Sequence, residues 1–322
     1  MHNPSLLRYI LKRLGLMVLT FFIIWSLCFV LVKLLPLPAI KAQGRDAALL
    51  LARREAMGYH KPILVQYFLY WKHVLRGDFG LGEQMYVGQE VLSVLLQKIP
   101  YTVTVNLYAI LLSVPAGLLL GIYAALRKNK WQDHAISTGV MVFISVPSYV
   151  YAFLVQYFLC HATGWFPLTA ASRSQAGLFS LAMLHSMFPA ILSLAFGTVA
   201  GLTRFTRAEL SEVLTGEYLL LARAKGLNRT QSLFRHALRN AMVPVLPMIL
   251  GEFIGIMGGS LIIEGIFAIP GVGSLYTSAI QVRDYNFFMA LTGFYTLIGL
   301  LSSLVVDLSY GVIDPRIRMG EK

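Results

Sequence analysis

The chain has 322 residues, of which 57% are hydrophobic and only 13% charged, and its mean hydropathy is +0.67. Soluble globular domains do not reach that balance, so it excludes them and points to an integral membrane protein. A formal net charge of +12 would suit a nucleic-acid ligand in a soluble chain, but in a membrane protein basic residues report topology instead.

In chain order, Arg8, Lys12 and Arg13 precede an apolar run, Leu14–Val32, that holds 19 residues without a charge. The run exceeds an ordinary signal-peptide core and lacks an A-x-A cleavage site, so an uncleaved first span is expected. Six segments are long enough to cross a hydrocarbon core as helix: 14–35, 102–126, 135–160, 183–202, 241–263 and 286–307. Lipid offers the backbone no partners, and the sequence lacks the alternation of a membrane barrel, so the predicted fold class is all-α with six transmembrane helices. Pro115, Pro147, Pro244 and Pro247 fall within spans, where they either kink helices around a pathway or relieve packing. Cys28 and Cys160 lie in apolar segments and are read as small hydrophobes, with neither a disulfide framework nor zinc-ligand spacing.

Charge sets the orientation. With the N-terminus inside, the inner segments 1–13, 127–134, 203–240 and 308–322 hold 16 basic residues. The short outer loops 161–182 and 264–285 hold one each, Arg173 and Arg283. The outer loop 36–101 carries 8 basic residues, but it is long enough to cross regardless of charge. Both termini and the basic loop are therefore expected on the cytoplasmic side, with Lys33 snorkelling at the outer end of the first span. The expected organisation is a first segment and span (1–35), an outer cap (36–101), a five-span core (102–312) and a tail (313–322). Tyr67, Phe68, Trp71 and the RGDFG run at Arg76–Gly80 suggest that the outer loop is a packed cap rather than a linker, and RGD is not taken as an adhesion signal.

Catalytic chemistry is not expected. The sequence holds no G-x-x-x-x-G-K-[ST], H-E-x-x-H, G-x-S-x-G or C-x-x-C. Any ATP consumed must be hydrolysed by another chain, and no cofactor or metal is assigned to this one. His161 and His185 flank the second outer loop, and interfacial histidines of this kind ordinarily meet water or headgroups rather than a metal. Glu252 lies midway along the fifth span, where an unpartnered carboxylate is expensive. It should line a substrate pathway or hydrogen-bond to a neighbouring helix. Gly251 and Gly255 flank it at a spacing that permits close helix approach, with Gly258 and Gly259 beyond. Asp307 is expected at the inner interface.

The stretch from Glu217 to Pro244, EYLLLARAKGLNRTQSLFRHALRNAMVP, reads as helix, turn, helix. Thr215 is expected to cap the first helix, with Glu217 in its first turn. Gly226 should end it in a left-handed conformation. Asn228 and Gln231 should form a capping box on the second helix. Phe234, Ala237, Leu238 and Ala241 form its apolar face. Periodicity alone leaves open whether this basic element lies on anionic lipid or docks a protein.

The run resembles the EAA loop of ABC importer permeases in the oligopeptide and dipeptide branch, where ARAKGL and RHALRNA recur. The Glu-Ala-Ala triplet of the general pattern falls here on Leu220, Leu221 and Ala222, as is typical of that branch. RGDFG at 76–80, IIEGIFAIPGVG at Ile262–Gly273, RDY at Arg283–Tyr285 and DPRIR at Asp314–Arg318 extend the resemblance along nearly the whole chain. Two departures stand out: the family usually has Gln where Glu252 stands, and its acidic dipeptide after the first span is replaced by LPLPAIKAQ. The resemblance implies a type I importer fold in a bacterial inner membrane. It also implies a homologous second permease, two cytoplasmic ATPases that bind ATP and Mg, and an extracytoplasmic solute-binding protein. Glu217, Ala222, Arg223, Ala224, Lys225, Gly226 and Leu227 are the residues it assigns to ATPase coupling. The implied cargo is an oligopeptide or dipeptide, with glutathione, nickel or metal chelates as alternatives in the same family. A secondary transporter and a membrane receptor are the rival classes, though no internal repeat supports the first.

Overall fold

A computed structural model describes residues 4–40, 42–172, 176–217, 219, 224 and 226–313. Its helices are α1 (Pro4–Leu34), α2 (Gly44–Ala56), α3 (Ile63–Val74), α4 (Val91–Leu126), α5 (Trp131–Ser145), α6 (Ser148–Val155, widening to a π-helix over Gln156–Ala162) and α7 (Leu181–Thr215). They continue with α8 (Arg229–Gly255, with a π turn at Leu233–Ala237), α9 (Leu261–Ile266), α10 (Val272–Val282) and α11 (Tyr285–Ile313).

Among the described residues, five helices are long and apolar enough to span: Ile10–Leu34, Val91–Leu126, Leu181–Thr215, Arg229–Gly255 and Tyr285–Tyr310. The expected third span is instead a broken pair, α5 and α6, bent by 103°. Pro147 causes the break, because the residue before a proline is driven out of the helical region. Val146 accordingly sits at φ −87°, ψ 128°.

Three predicted boundaries are corrected. α4 starts at Val91 rather than 102, so the last eleven residues assigned to the outer loop are helical. α7 continues past 202 to Thr215, since Arg204, Arg207, Glu209 and Glu212 lower the hydropathy without interrupting the buried stripe of Thr203, Thr206 and Leu210. The fifth span ends at Gly255 rather than 263. Thr215 is also not the cap of a following helix. It closes α7, and its hydroxyl donates back to the Glu212 carbonyl at 2.8 Å.

The chain separates into two compact units, Met1–Val103 with Met257–Leu304, and Thr104–Ile256 with Val305–Lys322. In the first unit, Trp25, Phe29 and Val32 of α1 bury themselves with Val74 and Met289. The Trp25 indole donates to the Met289 carbonyl at 3.0 Å, and a Cβ on Gly293 would come within 3.0 Å of that ring. A second cluster joins Val91, Val94 and Leu95 to Val272, Leu275, Phe287 and Leu291. Lys33 does not simply reach for water, because its ammonium sits 3.6 Å from the centre of the Tyr59 ring.

In the second unit, Gly117 and Gly121 of α4 let α7 approach closely. A Cβ on either would lie 2.7 Å from Leu202 Cβ or 2.6 Å from Thr206 Cβ. Thr203 donates to the Gly117 carbonyl at 3.2 Å within the same seam. At Gly255, where the Gly251–Gly255 spacing predicts close approach of another helix, a Cβ would meet nothing within 4 Å among the described residues. Asp133 is fully buried and forms a two-pronged pair with Arg207. Removing one partner strands a buried charge. Arg207→Met should therefore destabilise the protein by about 3 kcal/mol, the low end for such a loss because Arg207 is partly exposed. Thermal unfolding of the detergent-solubilised protein reads this, and adding Asp133→Asn should recover part of the loss.

Candidate functional site

The basic helix–turn–helix is anchored by a residue that the sequence pattern did not single out. Leu219 is 2% exposed and packs with Ala125, Leu210, Ala237 and Ala241. Glu217, Ala224 and Gly226 are exposed and Leu227 is half-buried, while Ala222, Arg223 and Lys225 lie outside the described residues. Gly226 has φ +86°, the left-handed turn expected of it. Asn228 Oδ1 accepts from the Gln231 N–H at 2.8 Å, and Gln231 Oε1 accepts from the Asn228 N–H at 3.2 Å, so the capping box is complete.

From that capped start, α8 runs as 27 residues into the membrane. The π turn at Leu233–Ala237 adds a residue to one turn and rotates what precedes it by about 100°. Ala237 and Ala241 stay buried, whereas Phe234, assigned to the same apolar face, is 64% exposed. Among the described residues, Glu217, Ala224, Gly226 and Phe234 are exposed, while Leu219 packs against α4, α7 and α8.

Glu252 lies on α8 as expected, half-buried, with Thr198 of α7 as its side-chain hydrogen-bond partner. The described residues thus give it a partner on a neighbouring helix.

Three motifs of the first unit acquire a common meaning. In each, a carboxylate collects backbone N–H groups from a distant or tightly turned segment. Glu264, in the IIEGIFAIPGVG run, is fully buried and accepts from Thr102 Oγ1 at 2.9 Å, Gly273 N at 2.8 Å and Ser274 N at 3.2 Å. Gly273 and Ser274 open α10, so the carboxylate caps a helix other than its own and meets the positive end of its dipole. Thr102 Oγ1 in turn accepts from Val272 N at 2.8 Å. Asp284, in RDY, accepts from the N–H groups of Glu83 at 2.8 Å, Gln84 at 2.7 Å and Met85 at 3.2 Å, and from Phe287 at the start of α11 at 3.3 Å. Asp78, in RGDFG, accepts from Gly80 N at 3.1 Å and pairs with Arg53 and with His73 at 2.9 Å. Burial raises the Asp78 carboxyl, but the hydrogen bonds from Arg53, Gly80 and His73 outweigh it and hold the carboxyl below its usual range.

Burial pushes the Glu264 carboxyl up to about 7, against the downward pull of Thr102 and the backbone donors of Ser274, Gly273 and Ser260. An acid whose folded pKa exceeds its unfolded value of 4.5 stabilises the fold most below pH 4.5 and loses that contribution as pH rises to about 7. Melting temperatures measured from pH 5 to pH 8 should therefore fall by the equivalent of roughly 3 kcal/mol. Glu264→Gln should flatten the profile.

Comparison with known proteins places these features. Residues 117–319 match the family described as binding-protein-dependent transport system inner membrane component, and residues 6–106 match its N-terminal counterpart. The dipeptide transport system permease protein DppB of Lactococcus lactis is 35% identical over 314 residues, covering 98% of this chain and 100% of the relative. The glutathione transport system permease protein GsiC of Salmonella typhi is 34% identical over 318 residues, covering 97% and 99%. A crystal structure of an amino acid ABC transporter superposes with a TM-score of 0.51 at 16% identity, over 76% of this chain and 98% of that one. That likeness concerns the fold alone.

Proposed function

We propose a role built on one premise: this chain belongs to the family of binding-protein-dependent transport system inner membrane components. It is a multi-pass, non-catalytic permease subunit of an ATP-driven importer, and ATPase and binding-protein partners go with that membership. The assembly we infer contains a second, homologous permease, two cytoplasmic ATPases carrying ATP and Mg, and one extracytoplasmic solute-binding protein. Its cargo is a small peptide. The observation that carries this is the full-length likeness to permeases named for dipeptide and for glutathione transport, the latter itself a small peptide.

The segment Glu217–Leu227 docks the ATPase, with Ala222, Ala224 and Gly226 allowing close approach and Arg223 and Lys225 meeting acceptors on the partner. Closure of the ATPases displaces the hairpin, and α8, continuous from its capping box, carries the displacement to the pathway. Nucleotide can shift the inward and outward arrangements only through contacts that differ between them. Glu252 is the carboxylate of α8 that we place beside the pathway. The cap formed by 36–101 receives the binding protein on the outer side. Proteoliposomes holding the assembled importer should take up labelled dipeptide only with ATP and the binding protein present. Uptake driven by an ion gradient without ATP would refute the coupling, and displacement of the label by nickel rather than by peptides would refute the cargo.

A further inference from the structure

The base of the hairpin encloses a cavity of about 210 Å³ that the coupling role leaves unexplained. Leu214, Leu219 and Leu233 form its apolar floor, and Lys128, Ser211, Thr215 and Arg229 supply its polar groups. It is smaller than a pocket for a drug-sized molecule, which begins at about 300 Å³. A compact polar head fits; a peptide does not.

Ser211 points to an occupant. The residue is 6% exposed, and its hydroxyl has no hydrogen-bond partner. It does not take the backward bond to its own helix that Ser193 and Thr215 take. Buried hydroxyls are ordinarily paired, so an orphan on a cavity wall marks space for a polar ligand. The sign of the ligand follows from the charges. Lys128 and Arg229 are exposed at the rim, and among the described residues no acidic side chain lines the cavity. The ends of α4 and α7 oppose them with partial charges of about half a unit each, which two full charges and the start of α8 outweigh. Depth follows from the aromatics. Trp131, three residues beyond Lys128, is 74% exposed, and Phe234, next to Leu233, is 64% exposed. Exposed aromatics beside basic residues mark the headgroup level of a bilayer.

We infer that this cavity receives the phosphate of an anionic phospholipid headgroup from the inner leaflet. Lys128 and Arg229 hold the charge, and the Ser211 hydroxyl donates to a phosphate oxygen. The lipid would tie the base of the hairpin to the membrane beside α8. This goes beyond the coupling role and rests only on the charge-based orientation, so failure of either is visible separately, one as lost lipid and the other as lost uptake.

The test uses the assembled importer purified in detergent and mixed with phosphatidylglycerol or phosphatidylcholine, with retained lipid counted by native mass spectrometry. Phosphatidylglycerol should be preferred, and Lys128→Gln with Arg229→Gln should weaken its binding about thirtyfold. Ser211→Leu, which fills the cavity, should lower retention with both cations in place. Should that variant fail to accumulate, Ser211→Ala, which adds no volume, should still weaken retention. Equal retention of the two lipids, or an unchanged preference in the double variant, overturns the inference. Saturation by inorganic phosphate without any lipid preference overturns the lipid source. A cross-link from Ser211→Cys to the ATPase in place of retained lipid assigns the cavity to protein docking and overturns it as well.

Discussion

Gly226→Val is expected to abolish ATP-driven uptake in vesicles while leaving the protein in the membrane at its normal abundance. The residue sits at φ +86°, where a β-branched side chain is a severe outlier. Forcing an L-residue into that region costs about 1–2 kcal/mol, enough to redirect a turn that only local contacts hold. Among the described residues a Cβ at Gly226 would meet nothing within 4 Å, so the packing described here would not suffer. Loss of uptake would therefore come from the altered course of the hairpin or from a partner seated against it. Asparagine, which tolerates left-handed backbone, separates the two. Retained uptake in Gly226→Asn would assign the loss to the turn; loss in both would assign it to a partner pressed against the glycine. Normal transport by Gly226→Val would remove the docking role altogether.

The second large effect belongs to Glu264. Glu264→Ala leaves the Thr102 hydroxyl and the Gly273 and Ser274 N–H groups without their acceptor in a fully buried place. Each such orphan costs about 1–3 kcal/mol, so a total loss on the order of 5 kcal/mol is expected, comparable with the whole stability of many domains. The variant should vanish from the membrane fraction or unfold far below the wild type. Gly271→Ala tests the same clamp without touching the carboxylate. A Cβ there would fall inside contact distance of both Glu264 Oε2 and Thr102 Oγ1, and the backbone of α10 would have to move. Normal abundance and melting of both variants would show that the clamp is dispensable.

What was legible in the sequence was local. The capping box at Asn228 and Gln231 spans three residues, and its side chains need nothing from the rest of the chain. The left-handed Gly226 follows from composition at a helix end, and the spans follow from hydropathy. The errors arose where one local signal contradicted another. α7 carries charges that end a hydropathy window but not a helix, because Arg207 finds a partner in Asp133, 74 residues away. Pro147 reads either as a kink or as packing relief, and the size of the break depends on the neighbours that accept the new direction. The clamps were opaque for a different reason. Thr102 and Glu264 are 162 residues apart, and Glu83 and Asp284 are 201 apart, so each motif could be seen as text without its partner. Leu219 looked like one leucine among several until Ala237 and Ala241 closed over it.

The carboxylates of Glu264 and Asp284 are answered by peptide dipoles rather than by mobile cations, and they lie where dissolved ions cannot reach. Electrolyte screens charges across water with a length of about 8 Å at physiological strength, and it hardly touches fixed dipoles in a dry interior. Brine and fresh water should therefore leave these two clamps equally firm, whereas the arginine-rich elbow should respond to every change in the ionic bath.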